Sequence, residues 1–429
     1  MFFQNLIDWI YRVFRRKPKT SNSEQADNAA YVERYEDIIE VNVTAMVAQR
    51  LANLIVADST IEIADKNARA EFINDALGRC IAQLRTIVTR ILGIGGVVLK
   101  PYLHAGRIYT DIVPQRDFFV IEQIGEVVTS ACFLAETFTR DNRTYSRLEY
   151  HSLEPSGIYT IEQRAMIDNQ EYPPSSVPEW EHIKPSQSIS GVKQMLFAFI
   201  QCPTDNRRSA SSVYGVPVTY GQDKLIKEIT TLLNEMQREF VDKRVFVGIS
   251  DLLFDGQGKL PVDGKYKKFK TDDENFWEVF SPDIRVEAYV KGIDYRLELL
   301  EKAIGVNKGV LTNMETADAT ATAIRRSTFD TWTFVDHVHD LLEIAINNLV
   351  YAYDVIANAN NLVGRGEYRV TFDWDYSLLE DSDERFNQLQ TGVASGYING
   401  WEARAWVMNE NAEDAQANMP EMEQLLSEA

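Results

Sequence analysis

From Thr316 to Asn360 the chain contains neither proline nor glycine, and this stretch constrains the fold more than any other. Val335, Val338, Leu342, Ala345, Leu349, Ala352 and Ile356 recur on one helical face. The pattern predicts a helix starting near Thr316–Thr320; continuous to Asn358, it would be on the order of 60 Å long. A small globular domain rarely needs such a strut, whereas a large ring or tube does. Just ahead, Ile293, Leu297, Leu300 and Ile304 keep spacings of four and three, one face of another helix, with Gly305 as its expected C-cap. Between the two helices, Val306 to Thr316 breaks the pattern and turns rich in Thr and Ala.

At 429 residues the chain can bury a substantial core and hold about two or three domains. The 45% hydrophobic and 11% aromatic content is that of a globular protein, and the formal charge is −20. Such acidity argues against tight duplex binding, which needs Lys and Arg to neutralise phosphates. It leaves room for a protein that surrounds DNA and lets it slide. Cys80, Cys132 and Cys202 are odd in number and without paired spacing, so a reducing compartment is expected and a disulfide framework is not. No run approaches the ~20 apolar residues that span a bilayer. The opening Met1 to Ile10 is apolar, but Arg15, Arg16, Lys17 and Lys19 come after it and Gln4, Asn5 and Asp8 interrupt it. A secretory signal carries its charge first. An amphipathic helix docked on the body or a neighbouring subunit is expected, ahead of a helix lying on a membrane surface.

Along the chain, residues 21–30 read as a polar linker. Ile38, Val41, Ala45, Ala48 and Ala52 share one helical face, and Phe72, Ala76, Ile81, Leu84, Val88 and Ile91 mark another helix. Gly93, Gly95 and Gly96 punctuate a change to strands. Two strands flank His104-Ala105-Gly106, a hairpin signal, and residues 95 to about 200 read as an antiparallel β-rich insert in a helical frame. Leu225, Ile229, Leu232, Met236 and Phe240 restore the helical period. Residues 245–282 form a compact strand-and-turn module, with turn signals at Asp255-Gly256 and Asp263-Gly264. It sits between two helices, as if at the end of a two-legged stalk. A strand at 368–374, short helices and an acidic tail close the chain.

Little in the sequence suggests catalysis. The glycines at 93–96 come after a helix and precede a strand, the reverse of a dinucleotide fingerprint. Gly258 to Tyr266 departs from a phosphate loop in spacing and ends in Tyr where Ser or Thr would hold magnesium, so a hairpin turn is expected. His337 and His339, two apart on a helix, cannot grip one metal and read as polar-face residues. Asp373, Asp375, Glu380, Asp381 and Asp383 read as a solvated acidic turn. No catalytic group, metal or cofactor is assigned. The local exception in charge is Lys265, Tyr266, Lys267, Lys268, Phe269 and Lys270, a basic patch in an acidic chain. It reads either as a solvated hairpin or as a partner-docking or DNA-facing element at the tip of the stalk.

Three pieces carry a resemblance. One is Tyr214-Gly215-Val216-Pro217 leading into a helix at Asp223–Asp242. Another is Ala303-Ile304-Gly305-Val306 with the Thr/Ala-rich run from Thr316 and the unbroken helix. The last is Val370 to Ser377 with Asp381 and the later Gly396-Tyr397-Ile398-Asn399. Their order and spacing over roughly residues 30 to 415 resemble the portal (head–tail connector) proteins of tailed bacteriophages, nearest those of Gram-positive siphophages. Tyr376, where many relatives have Asp, and Asn399, where they have Ser, are mild departures.

The resemblance implies an α+β portal fold with long stem and spine helices, a β-rich wing insert and a small α/β clip. It places an N-terminal helix and linker at 1–30, a wing at 31–220, stem helices at 221–244 and 284–305, and a clip at 245–283. A tunnel loop comes next at 306–320, a spine helix and wing strand at 321–376, and a short crown with an acidic tail at 377–429. It implies a homo-oligomeric ring, usually of twelve subunits, at one capsid vertex of the virion, assembled in the host cytoplasm. Double-stranded DNA would pass through it without sequence specificity during packaging and ejection. The partners implied are the terminase large subunit, which carries the packaging ATPase, a head-completion adaptor, and the major capsid and scaffolding proteins, with no stable membrane partner. Twelve copies at −20 carry about −240, a wall that repels phosphate. Asn307, Lys308, Asn313, Arg325 and Arg326 would line the tunnel and give weak, exchangeable phosphate contacts; Lys265 to Lys270 would dock a partner at the clip. The rival reading is an oligomeric scaffold with a membrane-binding N-terminus, and a nucleotide hydrolase ranks third.

Overall fold

The computed structural model describes residues 41–57, 59–125, 127–168, 170–207, 212–242, 246–250, 266–269, 277–280, 285–312, 321–374, 382–408, 410 and 412–419. The N-terminal segment through residue 40 and the tail beyond residue 419, with the expectations that fall on them, lie outside these residues. The fold is mixed α+β, as expected.

Helix α1 (Val43–Ile55) starts where the Asn42 side chain accepts the Ala45 N–H. Its buried stripe is Val43, Val47, Ala48, Leu51, Ala52 and Ile55, while Ala45 faces solvent. The expected face is therefore rotated from the real one, because it gives the small Ala45 the weight that Val47 and Leu51 carry. Strand β1 (Thr60–Ile63) precedes α2 (Ala68–Ile81) and α3 (Leu84–Ile94). The single helix expected here is two, broken at Ala82-Gln83, where the N–H of Gln83 donates to Cys80 O in a tighter turn.

Helix α3 ends in a left-handed Gly95 (φ 95°). A Cβ at Gly95 would lie 2.6 Å from the carbonyl oxygen of Gly215, and one at Gly215 only 2.1 Å from that of Gly95. The two glycines pass backbone against backbone, with Cys202 N–H donating to Gly95 O and Val218 N–H to Leu92 O. Nearby, the Tyr214 hydroxyl accepts the N–H of Val120. Both the glycine cluster and the Tyr-Gly-Val-Pro segment thus form one structural seam.

Strands β2 (Gly96–His104) and β3 (Arg107–Pro114) form the expected hairpin, with positive φ at Ala105 and Gly106. Strands β4 (Phe118–Ile124), β5 (Val127–Arg140), β6 (Arg143–Leu153), β7 (Ile158–Ile167) and β8 (Gln170–Tyr172) continue in a meander. Strand β9 (Ser186–Ser190) pairs with β7, and β10 (Ala198–Gln201) returns to β2. Every one of these pairings is antiparallel.

Helix α4 (Asp223–Asp242) leads to a small sheet of β11 (Phe246–Ser250), β12 (Tyr266–Phe269) and β13 (Trp277–Phe280), ordered β12-β11-β13. Because β11 and β12 run parallel, no hairpin joins them. The hairpin turn expected between Gly258 and Tyr266 lies, but for Tyr266 itself, outside the described residues. The basic segment is an edge strand. Helix α5 (Val286–Ile304) then returns antiparallel to α4, with Arg285 on Glu239, Leu232 against Gly292 and Arg296 on Glu228.

Helix α6 (Ala321–Ala359) spans 39 residues without a break. Val335, Val338, Leu342, Ala345, Leu349 and Ala352 are buried, and Ile356 packs half-buried against the core. Most of that face joins α1–α3, β2 and β3 in the main core, while Ala352 belongs to a second core with Phe118, Phe133 and Tyr159 of the large sheet and Phe197 just ahead of β10. Strand β14 (Val370–Asp373) pairs with β1, and α7 (Ser382–Ala394), α8 (Gly400–Met408) and α9 (Ala412–Ala417) complete the order. Between α7 and α8, left-handed Gly396 donates to Val393 O and Tyr397 N–H to Gly392 O, a Schellman motif. Glu402 then accepts the Asn399 N–H as half of a capping box. The Gly396–Asn399 motif is therefore a helix–helix connector.

Two corrections concern side chains. Phe240, expected on the buried face of α4, is 46% exposed, because among the described residues the end of that helix has only α5 beside it. His339 is buried, not on a polar face: Nε2–H donates to Ile55 O at 2.7 Å and the ring stacks on Trp374. The three cysteines are buried and unpaired.

A polar cluster joins the two sheets. Glu149 accepts from Lys100 (3.2 Å) and from His151 Nε2–H (2.8 Å), whose Nδ1 takes the Tyr159 hydroxyl at 2.5 Å. Burial opposes the charge on Glu149, but the His151 hydrogen bond and the Lys100 ammonium outweigh it and hold the carboxyl well below its ordinary range. Burial pushes His151 below its ordinary value against the pull of Glu149, which favours the neutral ring.

Gly215→Ala should cost roughly 1–3 kcal/mol, read as a lower melting temperature. The cluster sets a pH dependence of definite sign. Folded His151 and Glu149 both hold protons less readily than when unfolded, so stability falls as pH drops below 6.5 and falls further below 4.5. In melts across that range, the deficit of Glu149→Gln relative to the parent should shrink below pH 4.5.

Candidate functional site

The segment joining α5 to α6 contains the candidate tunnel residues and is built around one carboxylate. Glu301 lies on the inner side of α5 and is fully buried. Its Oε1 accepts the backbone N–H of Gly309 (3.1 Å), Leu311 (2.6 Å) and Thr312 (3.0 Å), and the Thr312 hydroxyl reaches both oxygens at 3.2 Å. Left-handed Gly305 (φ 80°) ends α5 by donating to the carbonyl of this same residue, and Val306 N–H joins it there. Gly309 (φ 104°) bends the chain back over the side chain. A buried ion is costly unless it is hydrogen-bonded, and here the backbone supplies the bonds. Charge-assisted bonds are roughly twice as strong as neutral ones.

Asn307 clips the segment to α6 from both sides. Its N–H donates to Thr331 Oγ1 (2.9 Å), and its amide oxygen accepts Thr331 N–H (2.8 Å). A side chain thus reaches into the helix ladder, the kind of insertion at which long helices bend. Asn307 Nδ2 also approaches Asp330 at 3.4 Å. From the other side, Arg50 Nε donates to Val310 O. Lys308 points outward, 55% exposed, and its ammonium lies 2.6 Å from Glu298. Such a partly exposed pair contributes little stability.

Of the other sequence candidates, Arg325 and Arg326 fall in the opening turns of α6, and Asn313 lies outside the described residues. Tyr266, Lys267, Lys268 and Phe269 form β12, while Lys265 and Lys270 lie outside the described residues. The two groups of candidates sit at opposite ends of α5, a helix about 28 Å long, and do not form one site. Of the acidic cluster after β14, only Asp373 has a described side chain. Among the described residues no three His, Cys, Asp or Glu side chains are grouped to hold a metal ion, and no helix is long and apolar enough to cross a membrane.

Sequence reasoning does not single out Glu301, Thr331 or Arg50. A signal exists for Glu301. It stands four residues after Leu297 and three before Ile304, a carboxylate placed on the apolar stripe.

No protein-family model and no curated protein matches the sequence. Among solved structures, one similar chain comes from the virion of a native gene transfer agent particle. It is 11% identical over 86% of this chain and 90% of that chain, with a TM-score of 0.44. Another comes from the neck of an empty gene transfer agent particle, 12% identical over the same shares, with a TM-score of 0.41. Superposition at this level carries no argument, and the functional reading rests on this chain's own residues.

Glu301→Gln replaces one acceptor with a donor facing N–H groups. It should cost about 1–3 kcal/mol, and Glu301→Ala should cost at least as much. Thermal melts of the two variants beside the parent check this.

Proposed function

We propose that this chain is the subunit of a phage portal, a virion structural protein. On this reading, identical copies close into a ring around a channel for double-stranded DNA. The observation that carries it is the uncovered apolar surface along the stalk and the front of α6. Tyr295 is 60% exposed and Phe329 64%, joined by Phe240, Val290, Leu299 and Trp332. A two-helix stalk that leaves large apolar side chains in water is suited to packing against neighbouring stalks. Copies arranged side by side would cover these residues and leave an axis open between them.

In such a ring α4 and α5 are the stem, β11–β13 the clip and α6 the spine. The α5–α6 segment narrows the channel. Its anchoring to Glu301 and Thr331 supports a loop held in place, with Lys308 as its outward cation. Because Lys308 is 55% exposed, its ammonium can meet a passing phosphate and release it again, which suits transport better than capture. The β12 edge strand supplies the basic surface for an adaptor or terminase at the far end. The capsid and scaffolding proteins would meet the large β-sheet and its flanking helices.

Lys308→Ala should leave ring assembly intact and change DNA packaging. Negative-stain images of the variant should show rings with a central hole, and packaged DNA per head should differ from the parent. Wild-type packaging by assembled Lys308→Ala heads would remove this lysine from the mechanism; absence of rings from the parent protein would remove the portal reading itself.

A further inference from the structure

The stalk carries two charged stripes. On α4, Lys224, Lys227, Thr231, Glu235 and Arg238 follow one another at spacings of three and four, all exposed, on the side opposite buried Ile229. On α5, Glu287, Lys291, Asp294 and Lys302 are exposed, and with partly exposed Glu298 they keep the same spacings. The second stripe lies roughly 140° round its helix from Gly292 and Arg296, the residues that meet α4. It therefore looks away from the α4 of its own chain.

Three contacts fix the relative heights of the stripes. Arg285 meets Glu239, Gly292 meets Leu232 and Arg296 meets Glu228. Seven residues along α5 are matched by seven back along α4, and the next four by four. In that register Arg238 stands within one residue of the height of Glu287, and Glu235 within two of Lys291. Lys227 stands within three of Asp294 and one of Glu298. At about 1.5 Å per residue these offsets are about 5 Å or less, within the reach of such side chains. At all three heights the charges are opposite. At the end nearest the connecting segment, Lys224 and Asp223 share the height of Lys302 and favour neither sign. Thr231, the short uncharged member of the α4 stripe, comes within two residues of the height of Tyr295, which is exposed beside the α5 stripe.

Rotation about an axis along the stalk carries a second copy sideways without changing heights, so a ring can present the α5 stripe of one copy to the α4 stripe of the next. We propose that these stripes are the two halves of one interface between neighbouring copies of this chain. Arg238–Glu287, Glu235–Lys291 and Lys227–Asp294 pairs join the copies, with Tyr295 over Thr231. Because the two halves differ, the contact is head-to-tail, the kind that repeats into a ring. The order of charges also fixes the register. A slip of one turn would set Arg238 against Lys291 and Glu235 against Asp294, a repulsion that rejects the wrong alignment. This inference rests on the ring reading above and adds how neighbours recognise each other.

Two charge-swapped proteins test it at unchanged net charge. One carries Lys227→Glu and Glu235→Lys on α4; the other carries Lys291→Glu and Asp294→Lys on α5. Ring formation is followed by sedimentation and negative-stain images over a range of protein concentrations. Alone, each variant sets like charges between neighbours and should need at least about tenfold more protein than the parent to form rings. Mixed in equal amounts, the two can alternate round an even-numbered ring. Every interface is then complementary again, and assembly should return to the parent's concentration, a rescue that contacts within one chain do not provide. Parental assembly by each variant alone, or no gain on mixing, would overturn the proposal and leave the ring standing. A parent protein that forms no rings would remove the ring reading and this inference with it. A second measurement avoids the swaps: Glu235→Cys and Lys291→Cys are combined in one chain and oxidised after assembly. The product should be a ladder of chains linked to one another, and chains linked only internally, or not at all, would also overturn the proposal.

Discussion

A single buried carboxylate decides how α5 and the long helix α6 meet. Glu301 gathers the N–H groups of Gly309, Leu311 and Thr312 around one side chain, at the point where α5 must stop and the chain must turn toward α6. Without it the Leu311 and Thr312 donors would lose their acceptor and Gly309 would keep only the Thr312 hydroxyl, and an unmade buried hydrogen bond costs more than a made one contributes. The turn is thus specified by polar satisfaction together with the packing of Val306, Val310 and Leu311 against the main core. Asn307 then transfers that fixed geometry to α6 through Thr331. The stalk, the connecting segment and the spine are coupled by a handful of directional bonds.

The spine in turn joins two cores that differ in kind. Against α1, α2 and α3 it packs aliphatic side chains in a continuous helical frame. Against the large sheet it meets an aromatic cluster of Phe118, Phe133 and Phe197, with the Glu149–His151–Tyr159 network beside it. Buried Arg69 closes the far end, donating to Val363 and Gly364 carbonyls and to Asn358 just past and within the last turn of α6. A cation there also complements the helix dipole. The helix is long because it serves both cores and still extends past them toward the connecting segment.

Much of this is legible from periodicity. The bounds of α4, the face of α6, the C-cap at Gly305 and the hairpin at Ala105-Gly106 come from spacing and glycine chemistry alone. The illegible parts depend on partners distant in sequence. Ala45 reads as part of the buried face of α1 because alanine fits either side of a helix and only packing decides. The parallel pairing of β11 with β12 is invisible locally, since turn signals at glycine read the same whether the chain doubles back or crosses over. His339 reads as solvated because nothing near it in sequence announces that Trp374 and Ile55 enclose it. At the candidate site, Lys308 stands out as a cation, but the groups that hold the segment are Glu301, Asn307, Thr331 and Arg50, the last of them 260 residues from the carbonyl it binds.

The junction between stalk and spine stands or falls with Glu301 holding the α5–α6 segment. Hydrogen exchange resolved to single amides measures this directly on the unmodified chain. Gly309, Leu311 and Thr312 should exchange far more slowly than an exposed loop, at rates comparable with the core of α5. Exchange of all three at the rate of unstructured peptide would contradict it, because the bonds on which the junction depends would then not exist.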